Sequence, residues 1–321
     1  MKRDSITRIV SVCVQGKPAK SCSENAERTG MVRAVADEIE RAGWGRLDAV
    51  LFPGGFFYTD VYTGDRDFEG RRKHLESSQF SEDVLRAFHK LAGCYFVSGV
   101  DSAPRTPGFD NGDEFCVAWK SGRVQSLARK IFPTKRAGLT CYAEDFDTSH
   151  RLIELNSGRV AVLCACYDGY GCEFATPKVT KSSRPGYITR IVDSSGVVRK
   201  GKNLRILRTR CVENFAQLVR GNRVSVCLGA VHRIEHVGGD NYWERFGVAN
   251  CSAALRGLCI CATHYCKGLP DPENPRASTL AACDVPARHL TQGHNRRAHR
   301  IAAANHLVAF DGQLLVRLFE C

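Results

Sequence analysis

Arg159-Val160-Ala161-Val162-Leu163-Cys164-Ala165-Cys166-Tyr167-Asp168-Gly169-Tyr170 opens as a run of branched and apolar residues and breaks at a polar, glycine-containing turn. Such a run reads as a strand buried on both faces, as in the middle of a parallel sheet. A cysteine at its end stands at the carboxyl edge of a sheet, where open α/β folds place their chemistry. A free cysteine is also a small apolar filler, so Cys166 has to be weighed by what the rest of the chain supplies.

Upstream of this run, residues 6–14 alternate as a first strand. Ser21 with Glu24 makes a capping-box pattern. Met31, Val32, Val35, Ala36 and Ile39 then recur at helical spacing until Gly43. Residues 48–52 predict a second strand, broken by Pro53-Gly54-Gly55. A helix over 81–92 places Val84, Leu85, Phe88 and Leu91 on one face, and residues 94–98 predict the third strand. This alternation calls for an α/β sheet. Residues 114–119 and 124–127 flank the turn Lys120-Ser121-Gly122-Arg123 as a hairpin, which delivers the chain to Ala128-Arg129-Lys130. Downstream, Leu204, Leu207, Cys211, Phe215 and Leu218 predict an amphipathic helix, and residues 224–228, 258–262 and 313–319 predict further strands. No repeat, low-complexity tract or linker interrupts the chain, so residues 1–321 read as one domain.

Composition narrows the functional classes. Hydrophobic content of 43% and charged content of 25% are those of a globular protein. No apolar run reaches membrane-spanning length, and the first residues lead into a strand rather than a signal-peptide core. The expectation is a cytoplasmic protein with no membrane partner. Sixteen cysteines would frame disulfides in a short secreted domain. Here several of them (Cys13, Cys116, Cys227, Cys259, Cys261) lie inside strand-like runs, and reduced thiols are the reading. Cys259, Cys261, His264 and Cys266 offer four metal-type ligands, but without the paired spacing of structural zinc sites. Their alternation is read as apolar facing, and no metal is expected. The net charge of +12 raises nucleic acid or an anionic surface as partner. The densest basic stretches, 199–202 and 296–300, carry no interleaved aromatics. A solvated basic face is therefore the reading, with no nucleic-acid partner.

Three motifs follow one another in order. Phe52-Pro53 ends the second strand, Gly122-Arg123-Val124 leads to Ala128-Arg129-Lys130, and Cys166-Tyr167-Asp168 closes an apolar strand. In this order they resemble the carbon–nitrogen hydrolase (nitrilase/amidase) superfamily, from about residue 6 to residue 170 and more weakly to the C-terminal strand. The resemblance implies a nitrilase-like four-layer α-β-β-α sandwich, without organic cofactor or metal, assembled as homo-oligomers (dimers or larger). It implies hydrolysis of a non-peptide C–N bond in a small-molecule amide or nitrile, through a covalent intermediate on Cys166. A thiolate attacks and water resolves the adduct. A carboxylate takes the thiol proton and later activates water. A lysine ammonium and a backbone amide offset the charge that develops on the substrate. Carried over, Cys166 is the nucleophile, Lys130 the electrophilic stabiliser, Glu144 the lysine-positioning glutamate and the Tyr167 amide an oxyanion donor. Lys135 is a rival lysine with a poorer flanking match, and Cys164 is read as core.

One departure changes the expectation. Where the family has Pro-Glu, this chain has Pro53-Gly54-Gly55, so the proton-shuttling carboxylate is missing. General acid–base catalysis is worth about 10²–10⁴-fold, or roughly 3–5 kcal/mol of barrier. Asp60 and Asp101 are the acids that can replace it. The alternative is a catalytically impaired relative that serves as a binding or scaffold subunit. The two glycines themselves admit close backbone approach or positive φ. The Cys- and His-rich residues 251–299 match no motif.

Overall fold

The apolar runs become strands whose successive residues enter different cores. The computed structural model describes residues 6–60, 67–91, 93–104, 112–134, 139–175, 184–235, 242–274, 277–292 and 301–321. The amino-terminal part supplies β1 (Arg8–Gln15), β2 (Ala49–Leu51), β3 (Phe57–Thr59), β4 (Tyr95–Ser102), β5 (Glu114–Lys120) and β6 (Arg123–Arg129). After β7 (Cys141–Tyr142) come β8 (Leu152–Glu154) and β9 (Val160–Ala165), then β10 (Ile191–Val192) and β11 (Val198–Arg199). The carboxyl-terminal part adds β12 (Val226–Ile234), β13 (Leu258–Tyr265), β14 (Ala281–Cys283), β15 (Asn305–Ala309) and β16 (Leu314–Glu320). The long strand path runs β6-β5-β4-β2-β1-β13-β12-β9-β8, and β7, β10 and β11 form a separate ribbon.

The long path folds over on itself. Its two halves join edge to edge where Val14 and Gln15 of β1 pair with His264 and Tyr265 of β13. Beyond that junction the halves face one another, with β5 and β6 over β9 and β12 over β4. A strand sends alternate residues to opposite faces, and here each face has its own core. Ala49, Leu51, Val97, Ala118, Ala128, Ala161, Leu163, Ala165, Leu228, Ala230 and Ile260 fill the layer between the half-sheets. Their neighbours Val50, Phe96, Val117 and Trp119 face outward onto three helices: α1 (Asn25–Arg41), α2 (Phe68–Glu76) and α3 (Gln79–Phe88). On the other outer face Val162, Cys164, Cys227, Cys259 and Cys261 meet α4 (Gly201–Gly221) and α5 (Ala249–Leu255). Three apolar layers between four layers of elements make the expected α-β-β-α sandwich. Alanines predominate in the middle layer because two backbones crossing face to face leave little depth for side chains.

The helix that follows β1 buries Met31, Val32, Val35, Ala36 and Ile39, the stripe expected from spacing. Its start differs in detail. Ser21 makes no side-chain cap bond. Glu24 instead accepts from the Lys20 backbone N–H at 2.8 Å, ahead of a 3₁₀ turn over Cys22–Glu24. The helix expected over 81–92 is α3 followed by a 3₁₀ turn, His89–Leu91. Among the described residues no helix is long and apolar enough to cross a membrane.

Ala118 is wholly buried in the middle layer. Ala118→Leu forces a branched side chain between the half-sheets and is expected to cost about 1–3 kcal/mol, read as a lower urea midpoint. Val308→Ala, at a 53% exposed position of β15, is expected to stay within about 0.5 kcal/mol of the parent.

Candidate active site

Five side chains converge because five strand ends do. Asp101 lies near the end of β4 and pairs in register with Glu114, the first residue of antiparallel β5. Lys130 follows the last residue of β6, Cys166 follows the last residue of β9, and His232 is near the end of β12. All five line one cavity of about 950 Å³, together with Tyr167. That volume suits a small-molecule site.

Cys166 is 7% exposed and has φ = +49°. A left-handed conformation is costly for a residue with a Cβ. Here it turns the chain sharply from β9 into a 3₁₀ helix, Cys166–Ala175, so that the thiol opens on the cavity. The backbone amide of Tyr167 belongs to the first turn of that helix. The Tyr167 ring stacks on Tyr170 at 5.1 Å between centroids and stands edge-on to Trp243 at 5.4 Å.

Lys130 is 4% exposed, and its Nζ lies 2.6 Å from Glu114 Oε2. Its backbone N–H also donates to the Glu114 carbonyl at 2.9 Å. Burial works against the Lys130 charge, but Glu114 and then Cys166 outweigh it and hold the ammonium ionised. Burial likewise opposes the Glu114 charge, and His232 and Lys130 overcome it, leaving that carboxylate below its usual range.

The structure corrects the partner expected for Lys130. Glu144 is 63% exposed at its side chain and sits 3.4 Å from Arg71 and 3.5 Å from Arg129. Arg129 Nε donates to Asp145 Oδ2 at 2.6 Å, on the side of the chain opposite to Lys130. Adjacent residues of an extended segment point in opposite directions. Glu144 therefore meets Arg129, while Lys130 points into the cavity and meets Glu114.

Asp168 ties these pieces together. Its Oδ1 accepts from the backbone N–H groups of Ile131 at 2.8 Å and Phe132 at 2.9 Å. Its Oδ2 lies 3.6 Å from Arg151, and both side chains are fully buried. Burial pushes the Asp168 carboxyl up to about 6 against the pull of Arg151 and the two amides.

His232 was not anticipated from sequence. Its Nε2 lies 2.9 and 3.1 Å from the two Asp101 oxygens, and its Nδ1 is 3.2 Å from Glu114 Oε2 without hydrogen-bond alignment. A ring nitrogen of His232, the Cys166 sulfur and a Glu114 oxygen all lie within 4.8 Å of one another. The available signal was a polar ring closing an apolar strand run, the feature that singled out Cys166. Of the two replacement acids, Asp101 reaches the cavity, while Asp60 is exposed beside Cys22. Lys135 lies outside the described residues.

Glu114, Cys166 and His232 have ligand types that hold a transition metal, but the Lys130 ammonium on the same Glu114 oxygen opposes a bound cation. Cys259, Cys261, His264 and Cys266 do not form such a group among the described residues. The close thiols are instead Cys164, Cys172 and Cys227, and Cys227, Cys251 and Cys259. Cys164 and Cys227 approach to 3.5 Å in the core under α4 and α5.

No family model and no curated protein matches the chain. Its fold is similar to solved structures that include a nitrilase-superfamily amidase from Nesterenkonia (14% identity, 99% of this chain and 92% of that one, TM-score 0.44). They also include the C. elegans NitFhit protein (12% identity, 98% and 61%, TM-score 0.48). A third is a glutamine-dependent NAD(+) synthetase from Cytophaga hutchinsonii (12% identity, 98% and 43%, TM-score 0.44). The chemistry of the site is read from its own geometry.

Asp168→Ala leaves two buried amides unpaired and the buried Arg151 guanidinium without a carboxylate. It is expected to cost about 3–5 kcal/mol, measured by urea unfolding. Asp168→Asn keeps a carbonyl acceptor for Ile131 and Phe132 and is expected to lose less.

Proposed function

We propose that this protein hydrolyses a non-peptide C–N bond, of a small amide or nitrile, through a covalent intermediate on Cys166. The observation that carries the reading is the Cys166 thiol, held in a left-handed turn at a strand end and facing the buried Lys130 ammonium across a small-molecule cavity. With an amide, the sulfur bonds to the carbonyl carbon, the C–N bond breaks and the amine leaves with a proton. Water then bonds to the same carbon, the C–S bond breaks, and acid and thiolate are released. Lys130 and the Tyr167 amide offset charge on the substrate oxygen during both attacks. Glu114 is the positioning residue for Lys130, the role expected of Glu144. The same proposal takes the protein as a cytoplasmic homo-oligomer of one domain, working without cofactor.

A second reading, a binding or scaffold subunit without turnover, is favoured by one observation: Gly54 stands where the family has its glutamate. One experiment separates the two. Brief iodoacetamide treatment followed by intact-mass measurement compares the parent with Cys166→Ala and Lys130→Ala, beside a panel of small amides and nitriles. Preferential labelling of one thiol, lost in Cys166→Ala and slowed in Lys130→Ala, is expected. Turnover is expected to vanish in Cys166→Ala and to fall about 10²–10³-fold in Lys130→Ala. Labelling spread over several thiols with no turnover establishes the scaffold reading instead.

A further inference from the structure

We propose that His232, oriented by Asp101, is the proton carrier for Cys166 and stands in the space that the missing carboxylate of the Pro53-Gly54-Gly55 turn leaves free. The inference rests on the reading of Cys166 as nucleophile and supplies the acid–base group that this reading lacks.

Space is the first argument. A Cβ at Gly54 would lie 2.8 Å from His232 Nδ1, 2.9 Å from the His232 backbone nitrogen and 2.7 Å from the Ala230 carbonyl oxygen. The Gly54 N–H donates to the Val231 carbonyl at 3.0 Å, which draws the turn onto β12. A Cβ at Gly55 (φ = +60°) would meet Asp101 Oδ2 at 2.7 Å. The two glycines therefore leave room for the His232–Asp101 pair, and any side chain on Gly54 competes with the imidazole.

Hydrogen bonding is the second. Nε2 is engaged by Asp101, whereas Nδ1 is buried without a hydrogen-bond partner 3.2 Å from Glu114 Oε2, and a ring nitrogen of this imidazole lies within 4.8 Å of the Cys166 sulfur. Catalytic hydrogen bonds are often long before substrate binds. The rival acceptor, Glu114, is committed to Lys130 at 2.6 Å.

Charge is the third. The groups facing His232 are Asp101 from β4, Glu114 from β5, Lys130 after β6, Cys166 after β9 and His264 from β13. Burial opposes an imidazolium, but Asp101 and Glu114 outweigh it and raise His232 well above the ordinary histidine range. Burial, Arg28 and His232 itself keep His264 neutral.

The cycle balances without another reactant. At rest the proton of Cys166 is on Nδ1, so the pair stands as thiolate and imidazolium. The thiolate bonds to the substrate carbon, and Nδ1–H protonates the leaving nitrogen as the C–N bond breaks. The neutral imidazole then takes a proton from water as the oxygen bonds to carbon. Collapse of that adduct breaks the C–S bond, releases the acid and restores the ion pair.

The test is the rate of Cys166 alkylation by iodoacetamide from about pH 5 to about pH 10, a range bracketing ordinary histidine and thiol ionisation. Parent, His232→Gln, Asp101→Asn and Glu114→Gln are compared by mass, with Cys166→Ala subtracting the other thiols. The parent is expected to react well below the ordinary thiol range near about 8.5, and His232→Gln to follow that ordinary curve, about 10²-fold slower near pH 6. Asp101→Asn, which keeps the imidazole, is expected to move the onset upward by a smaller amount. Imidazole added to His232→Ala is expected to restore turnover on an amide that the parent hydrolyses. A reactive Cys166 whose onset ignores His232 and Asp101 but moves in Glu114→Gln overturns the proposal and leaves the hydrolase reading standing. A Cys166 no more reactive than the other thiols in the parent overturns both.

Discussion

The buried carboxylate of Asp168 is the constraint on which the geometry of the site depends. It accepts two backbone amides from the segment that follows Lys130 and faces Arg151, whose guanidinium in turn donates to the Arg129 carbonyl at 2.9 Å. The strand that ends at Cys166 and the strand that leads to Lys130 belong to opposite half-sheets, joined through β1 and β13 far along the strand path. A buried carboxylate with two bonded amides and a facing guanidinium can hold such segments in register, because releasing any of them leaves an uncompensated charge or an unpaired amide in the interior. The clamp fixes the backbone at 131 and 132, and the alternation of an extended chain then sends Lys130 into the cavity and Arg129 out of it.

Within the cavity the charges alternate. Asp101, His232, Glu114 and Lys130 form a chain of opposite signs whose steps are 2.9, 3.2 and 2.6 Å. At such separations and with little water, each member's ionisation is set by its neighbours rather than by pH alone. Apolar packing of equal volume generally stabilises a fold as well as buried ion pairs do. A cluster of this kind at the mouth of a cavity therefore points to chemistry. The Cys166 thiol sits beside that chain, close to the imidazole, to Glu114 and to the lysine.

The glycine pair at 54 and 55 links fold to chemistry. A turn without side chains lies against β12 closely enough to share a hydrogen bond, and the imidazole of His232 fills the volume beside it. What reads along the chain as a missing side chain is, in three dimensions, a volume filled by an imidazole from a different strand.

The sequence alone determined the class of the fold and the position of its most informative residue. Period-two apolar runs, helical stripes such as Met31-Val32-Val35-Ala36-Ile39 and the break at Tyr167-Asp168-Gly169 are local, and local pattern is what a sequence displays. The spacing of Lys130 from Cys166 was legible for the same reason. The tertiary structure decided which acid stands beside the lysine and which ring stands beside the thiol. Glu144 is the nearer acid along the chain after Lys130, yet Glu114 reaches the ammonium, because strand pairing brings the first residue of β5 level with the end of β6. His232 is more than sixty residues from Cys166 along the chain and becomes its neighbour only when β12 pairs with β9. Pairing register and the facing of two half-sheets are contacts between distant segments, and no local pattern encodes which side chains they bring together.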